Sequence, residues 1–169
     1  MPYTLNELAT DIRKTLETST GRVALEAARV CLLRALSDPA FIEAHLKDRA
    51  PGTPPREVLY EDPKLGFCIC GHVYDGPAAT GPHDHGASWA IYGQASGTTE
   101  MTDWRITTSG GEGEPSFVAP VRTYLLKPGE AHIYDVGDVH SPKREGATKL
   151  IRIEGQNLDR IKRSNIKAA

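Results

Sequence analysis

After Pro51-Gly52-Thr53-Pro54-Pro55 the chain breaks into short runs rich in β-branched and aromatic residues. That punctuation limits the folds open to it more than any other feature. The runs are Val58–Tyr60, Phe67–Tyr74, Trp89–Tyr92, Met101–Ile106, Thr123–Leu126, His132–Tyr134 and Leu150–Ile153. Turn chemistry separates them, as at Asp62-Pro63, Asp75-Gly76-Pro77 and Ser109-Gly110-Gly111. Short, evenly spaced strands with such turns predict an antiparallel barrel or jelly roll over residues 51–169.

Residues 1–50 read differently. Thr4 to Glu7 fits a capping box, and Leu5, Leu8, Ile12 and Leu16 recur at helical spacing. A second helix is expected from Thr20, with Val23, Ala27, Val30, Cys31 and Ala35 on its apolar side. Asp38-Pro39 reads as an N-cap with proline at the first helical position, opening a short third helix through Leu46. Nothing in these helices suggests chemistry. Their expected job is to pack on the barrel, the two parts together making one structural domain. The polar, basic stretch from Asp159 to Ala169 reads as a surface tail.

Composition narrows the function. The net charge is -2, and Lys and Arg are scattered apart from a small cluster near Arg160–Arg163, so no nucleic-acid partner is expected. No apolar run reaches membrane-spanning length, and no apolar core of a signal peptide stands at the N-terminus, so the expectation is a cytoplasmic protein without a membrane partner. The three cysteines, Cys31, Cys68 and Cys70, lack the spacing of redox or zinc-ribbon sites. Cys68 and Cys70 share one strand face and read as small buried hydrophobes, one of which could line a pocket.

The chemistry concentrates in Gly81-Pro82-His83-Asp84-His85-Gly86. Two histidines one residue apart project to the same side of an extended backbone and can grip one metal ion. The glycines and the proline mark the segment as a rim rather than the centre of a strand. Another histidine recurs downstream in Gly137-Asp138-Val139-His140.

A small β domain with this His-x-His and a lone histidine one hairpin later resembles the cupins, whose fold is a double-stranded β-helix or jelly-roll barrel. More narrowly, it resembles the thiol dioxygenases of the cysteine dioxygenase type I family. Arg56-Glu57-Val58-Leu59-Tyr60-Glu61-Asp62-Pro63, Thr80–Gly86 and Gly137–His140 carry the likeness, which extends over most of the chain, N-terminal helices included. The resemblance implies iron(II) held by His83, His85 and His140. Zinc or nickel can occupy the same ligands in purified protein, though zinc offers no redox chemistry. Ordinary cupins often supply an acidic ligand shortly after His-x-His, but Gly86-Ala87-Ser88-Trp89-Ala90 contains none. Three neutral imidazoles would leave the metal its full charge and open positions, which suits a substrate bringing an anionic donor.

His132, in Pro128-Gly129-Glu130-Ala131-His132, is the alternative third ligand, because that motif resembles the second motif of generic cupins. His140 is preferred for its spacing from His85. Arg56 stands where the family has the arginine that clamps the substrate carboxylate, a task suited to a bidentate guanidinium. Trp89 is a candidate wall of the substrate pocket. One departure weighs on the substrate. The family's Ser-x-His-x-Tyr strand corresponds to Thr148–Glu154, which has no such triad, although alternation sets Arg152 and Glu154 on one face. The family's crosslinking cysteine falls near Ala90 and is absent. The resemblance therefore implies an enzyme, an iron-dependent dioxygenase converting a small mercapto-acid and O2 to a sulfinate, working as a monomer or homodimer. Two readings remain beside it: oxidative cleavage of an enolisable β-diketone, and a non-enzymatic metal-binding cupin.

Overall fold

The computed structural model describes residues 2–169. Helix α1 (Leu5–Thr18) starts on the expected capping box: Thr4 Oγ1 accepts from Glu7 N, and the Glu7 carboxylate accepts from Thr4 N. Helix α2 (Gly21–Leu36) follows, then α3 (Pro39–His45), where Asp38 accepts from Ala40 N and Phe41 N ahead of the proline. The spacing read for α1 is realised, with Leu8 and Ile12 buried, but α2 is rotated from the expected face: Ala24, Leu25, Ala28, Leu32 and Ala35 are buried, whereas Val23 and Val30 are exposed, because the sheet takes the Leu25–Leu32 side of the helix.

The rest of the chain forms two five-stranded sheets curled around a common interior. The strands are β1 (Arg56–Glu61), β2 (Cys68–Tyr74), β3 (Ala78–Ala79), β4 (Ala90–Ser96), β5 (Thr99–Thr108), β6 (Ser116–Leu126), β7 (Ala131–Tyr134), β8 (Val139–Arg144), β9 (Thr148–Glu154) and β10 (Ile166–Ala168). One sheet runs β1-β2-β9-β4-β7 and the other β10-β6-β5-β8-β3. Every pairing is antiparallel except that of β10 with β6.

Strand alternation divides the apolar residues into two cores. Ile69, Ile91, Ile133, Ile151 and Ile153 leave the first sheet outward and pack against Leu8, Ile12, Leu25, Leu32 and Phe41 of the helices. Ala90, Tyr92, Met101, Leu126, Tyr134 and Leu150 point into the barrel. The helices therefore cover one sheet face, as the sequence suggests. Gly93 is where α2 presses closest: a Cβ there would lie 2.8 Å from both Leu32 Cδ2 and Leu36 Cδ1.

Two features depart from the sequence reading. Val139–Arg144 is a full strand although it contains Pro142, whose carbonyl still accepts from Thr80 N. The C-terminus is not a loose surface tail. A short 3-10 turn at Leu158–Arg160 turns the chain back, Ser164 donates to Asp84 through both N and Oγ, and β10 pairs with β6. No helix among the described residues is long and apolar enough to cross a membrane.

Candidate metal centre

The His-x-His segment is not a strand end, as expected, but a connector between β3 and β4 that touches β8 at one point. His83 and His140 form an isolated antiparallel bridge, with His83 N donating to His140 O and His140 N donating to His83 O, both at 3.0 Å. Asp84, between the two histidines, turns away and accepts from Gly86 N and from Ser164. Burial raises its pKa, but the Ser164 hydrogen bonds prevail and hold the carboxylate below its ordinary range. Gly86 adopts φ +58, and a Cβ there would lie 2.5 Å from Lys162 O, so only glycine lets the C-terminal segment lie across the connector.

These constraints bring His83, His85 and His140 together, with one ligand-capable atom from each lying within 4.8 Å of the others. His83 Nδ1 lies 2.9 Å from Gly81 O and His140 Nδ1 3.2 Å from Asp138 O. Donation to those carbonyls places the proton on Nδ1 and leaves Nε2 as the unprotonated nitrogen, as backbone acceptors do for metal-bound imidazoles. Burial, with no carboxylate in the cluster, lowers all three pKa values: His83 to about 4, His85 and His140 to about 2. The donor set fits a divalent transition metal, because neutral imidazoles are the protonation state such an ion requires.

The depressed values set an acid limit on the metal-free fold. Below the ordinary histidine value of 6.5 the unfolded chain takes up protons that the folded cluster refuses until about 4 or lower. Each such histidine costs about 1.4 kcal/mol of stability per pH unit in that window. Stability is thus fully present above 6.5 and falls as pH drops toward 4. Thermal melts of the metal-free protein across this range are expected to show a progressive loss of Tm, absent if the cluster is exposed.

The sequence reading missed a fourth residue here. Tyr92 Oη lies 3.1 Å from His85 Nε2 and 3.3 Å from His140 Nε2, and Arg152 Nη1 donates to the same oxygen at 3.2 Å. Nothing in the sequence marks it, because the register that sets Tyr92 opposite Arg152 across β4 and β9 exists only in the fold. Arg152 and Glu154 do face the interior, where Glu154 accepts from Arg152 Nε at 2.8 Å and from Arg56 Nη2 at 2.7 Å. Burial pushes the Glu154 carboxyl up, but the Arg56 and Arg152 guanidiniums outweigh it and leave the group ionised.

The other candidates lie elsewhere. His132, partly exposed on β7, is separated from His140 by the Tyr134 ring: the His132–Tyr134 centroids are 4.8 Å apart and the Tyr134–His140 centroids 3.9 Å. It is therefore outside the cluster. Arg56 borders the cavity, but its guanidinium is taken by Glu154 and by Asp159, so the carboxylates it engages belong to this chain. Trp89 lies on the opposite face of the sheet, beside Leu16, Ala24 and Leu25 of the helices, since strand parity that turns Tyr92 inward turns Trp89 outward. Cys68 and Cys70 are fully buried; burial pushes the Cys70 thiol up to about 12, so it is an inert thiol rather than a nucleophile.

The cluster opens onto a cavity of about 210 Å³ at the barrel mouth, bordered by His83, Tyr92, His72, Arg144, Arg152 and Arg163. A barrel of two curled sheets with its polar site at the mouth is the cupin fold, and a solved structure agrees. A protein with a double-stranded β-helix domain from Klebsiella pneumoniae matches with a TM-score of 0.50 and 15% identity, covering 74% of this chain and 88% of that one. A cupin superfamily protein from Desulfitobacterium hafniense matches with a TM-score of 0.46 and 10% identity, over 66% of this chain and 84% of that one. KdgF from Halomonas sp. matches at 0.47 and 16% identity, over 68% and 92%. No protein-family model and no curated protein matches the sequence. The chain has the cupin fold, and its three clustered histidines are compatible with a metal-dependent enzyme.

Proposed function

We propose that this protein is an iron(II) dioxygenase that converts a small thiol-bearing acid to its sulfinate, R–SH + O2 → R–SO2H, with both oxygen atoms entering the product. The observation that carries this reading is an all-imidazole donor set opening onto a cavity lined by arginines. Such a set supplies no negative charge, so an anionic group of the substrate completes the neutralisation. Ferrous iron, held by His83, His85 and His140, supplies the redox chemistry that activates dioxygen toward a thiolate.

The protein's own contribution is orientation. Tyr92 directs its hydroxyl at the substrate, and Arg152 fixes that hydroxyl by donating to it. The hydroxyl that thiol dioxygenases bring from the strand after the third ligand would arrive here from β4, with Arg152 on β9 in support. Glu154 keeps Arg152 in place and neutral in sum.

Oxygen uptake by the iron-loaded protein with a panel of mercapto-acids and β-diketones tests the reading. Sulfinate from a mercapto-acid is expected. Carbon–carbon cleavage of a diketone would move the assignment to an enolate dioxygenase, and no uptake with any compound would leave a metal-binding module without this activity. Tyr92→Phe is expected to retain iron while lowering kcat about 10- to 100-fold; unchanged turnover would mean that Tyr92 takes no part in the reaction.

A further inference from the structure

The arginine that the thiol-dioxygenase likeness singles out is already paired, but another on the cavity wall is not. Arg144 is 4% exposed, yet its side chain makes no hydrogen bond or ion pair among the described residues, and its Nε is buried without a partner. Its guanidinium lies over the Tyr74 ring, 4.2 Å from the centroid. Stacking leaves the in-plane N–H groups unused, and burying an unpaired cation is costly. Burial also pushes its pKa below the ordinary value, as expected for a cation missing its counter-ion. His72, 3% exposed, lies on the same wall with its own Nδ1 buried and unpartnered. Two of the four buried polar atoms without partners among the described residues thus belong to side chains bordering one cavity, which points to a ligand rather than to scattered defects.

We propose that Arg144, assisted by His72, is the carboxylate-binding subsite of this cavity and determines specificity for small carboxylic acids. The carboxylate accepts two parallel N–H bonds from the guanidinium, and His72 donates the third. Residues 140, 142 and 144 alternate inward on β8, so the same strand carries a candidate metal ligand and the clamp. Along a strand, four residues span about 13 Å, and an arginine side chain reaching back closes about half of that. The acids that fit have their carboxylate only a few bonds from the reacting group. Arg56 cannot compete while Glu154 holds its fork.

The assignment deepens the proposed function in naming the substrate's anionic end, yet it does not require the metal to be bound. The test is therefore binding of 3-mercaptopropionate and propionate, against 3-mercaptopropionamide and inorganic phosphate, to the full chain with and without iron. Both carboxylates are expected to bind with and without iron, the amide at least tenfold more weakly. Arg144→Met is expected to weaken carboxylate binding at least tenfold. Because it removes an unpaired buried charge, its unliganded melting temperature should be unchanged or higher. Equal binding of amide and acid, a preference for phosphate, binding only when iron is present, or an undiminished Arg144→Met would each overturn the proposal. Carboxylate binding without any oxygen uptake would leave this subsite standing and remove the dioxygenase.

Discussion

His140→Ala is expected to abolish stoichiometric retention of a divalent metal, while His132→Ala retains it. The two variants remove the same imidazole from consecutive strands, β7 and β8, of the two sheets. What differs is position: His140 Nε2 lies by the shared Tyr92 hydroxyl with His85, whereas His132 is screened from the cluster by Tyr134. Removing one of three protein ligands takes away a third of the donor set, and disturbing even a supporting contact to a ligand costs 10- to 100-fold in affinity. The expected loss for His140→Ala is therefore about 100-fold or more. Metal analysis after dialysis, with a competing chelator to rank affinities, reads the difference directly. Equal retention by the two variants would refute the ligand assignment.

The second large effect is on stability and falls on Glu154. Its carboxylate is fully buried and is the counter-charge of Arg152, itself 8% exposed, and of Arg56. Removing one partner of a buried pair leaves a charge with neither water nor an opposite charge, at a cost of about 3–5 kcal/mol. Glu154→Leu is therefore expected to lower the melting temperature by about 10 °C or more for a domain of this size. Replacing the group as a whole, with Arg56→Met and Arg152→Met added, is expected to recover much of that loss, because apolar side chains of similar volume do not need the pairing. Urea unfolding of the single and triple variants decides. A single variant as stable as the parent would mean that water reaches Arg152, and an additive triple variant would mean that the three residues do not act as a unit.

The likeness between the expected and the observed molecule is strongest where one local rule decides. The capping box at Thr4, the Asp38-Pro39 start and the isoleucine-rich strands follow from spacing alone, and they fix the helical cover and the sheet beneath it. The three-histidine cluster was legible through the glycine-flanked His-x-His and the matching segment before His140. Parity in β9 showed that Arg152 and Glu154 travel together, but not which way they face. That choice is made by Ile151 and Ile153, which alternate with them and pack against the helices. The unread parts share a cause: each depends on a partner distant in sequence. Tyr92 is a site residue only because His85, His140 and Arg152 converge on its hydroxyl. Trp89, one strand position off in parity from Tyr92, faces the helices for the same reason of alternation. Arg56 reads as a free clamp until Glu154, 98 residues away, occupies it. The terminal segment reads as a polar tail until Ser164 meets Asp84, 80 residues back.

The central claim is that three imidazoles from two separated segments hold one ion without a carboxylate. X-ray absorption of the iron-loaded protein examines that centre directly. The expected result is one iron per chain, nitrogen or oxygen neighbours at about 2.0–2.2 Å, and the outer scattering of three imidazole rings. Fewer than three imidazoles, a sulfur neighbour from Cys70, or failure to reach equimolar iron would contradict it.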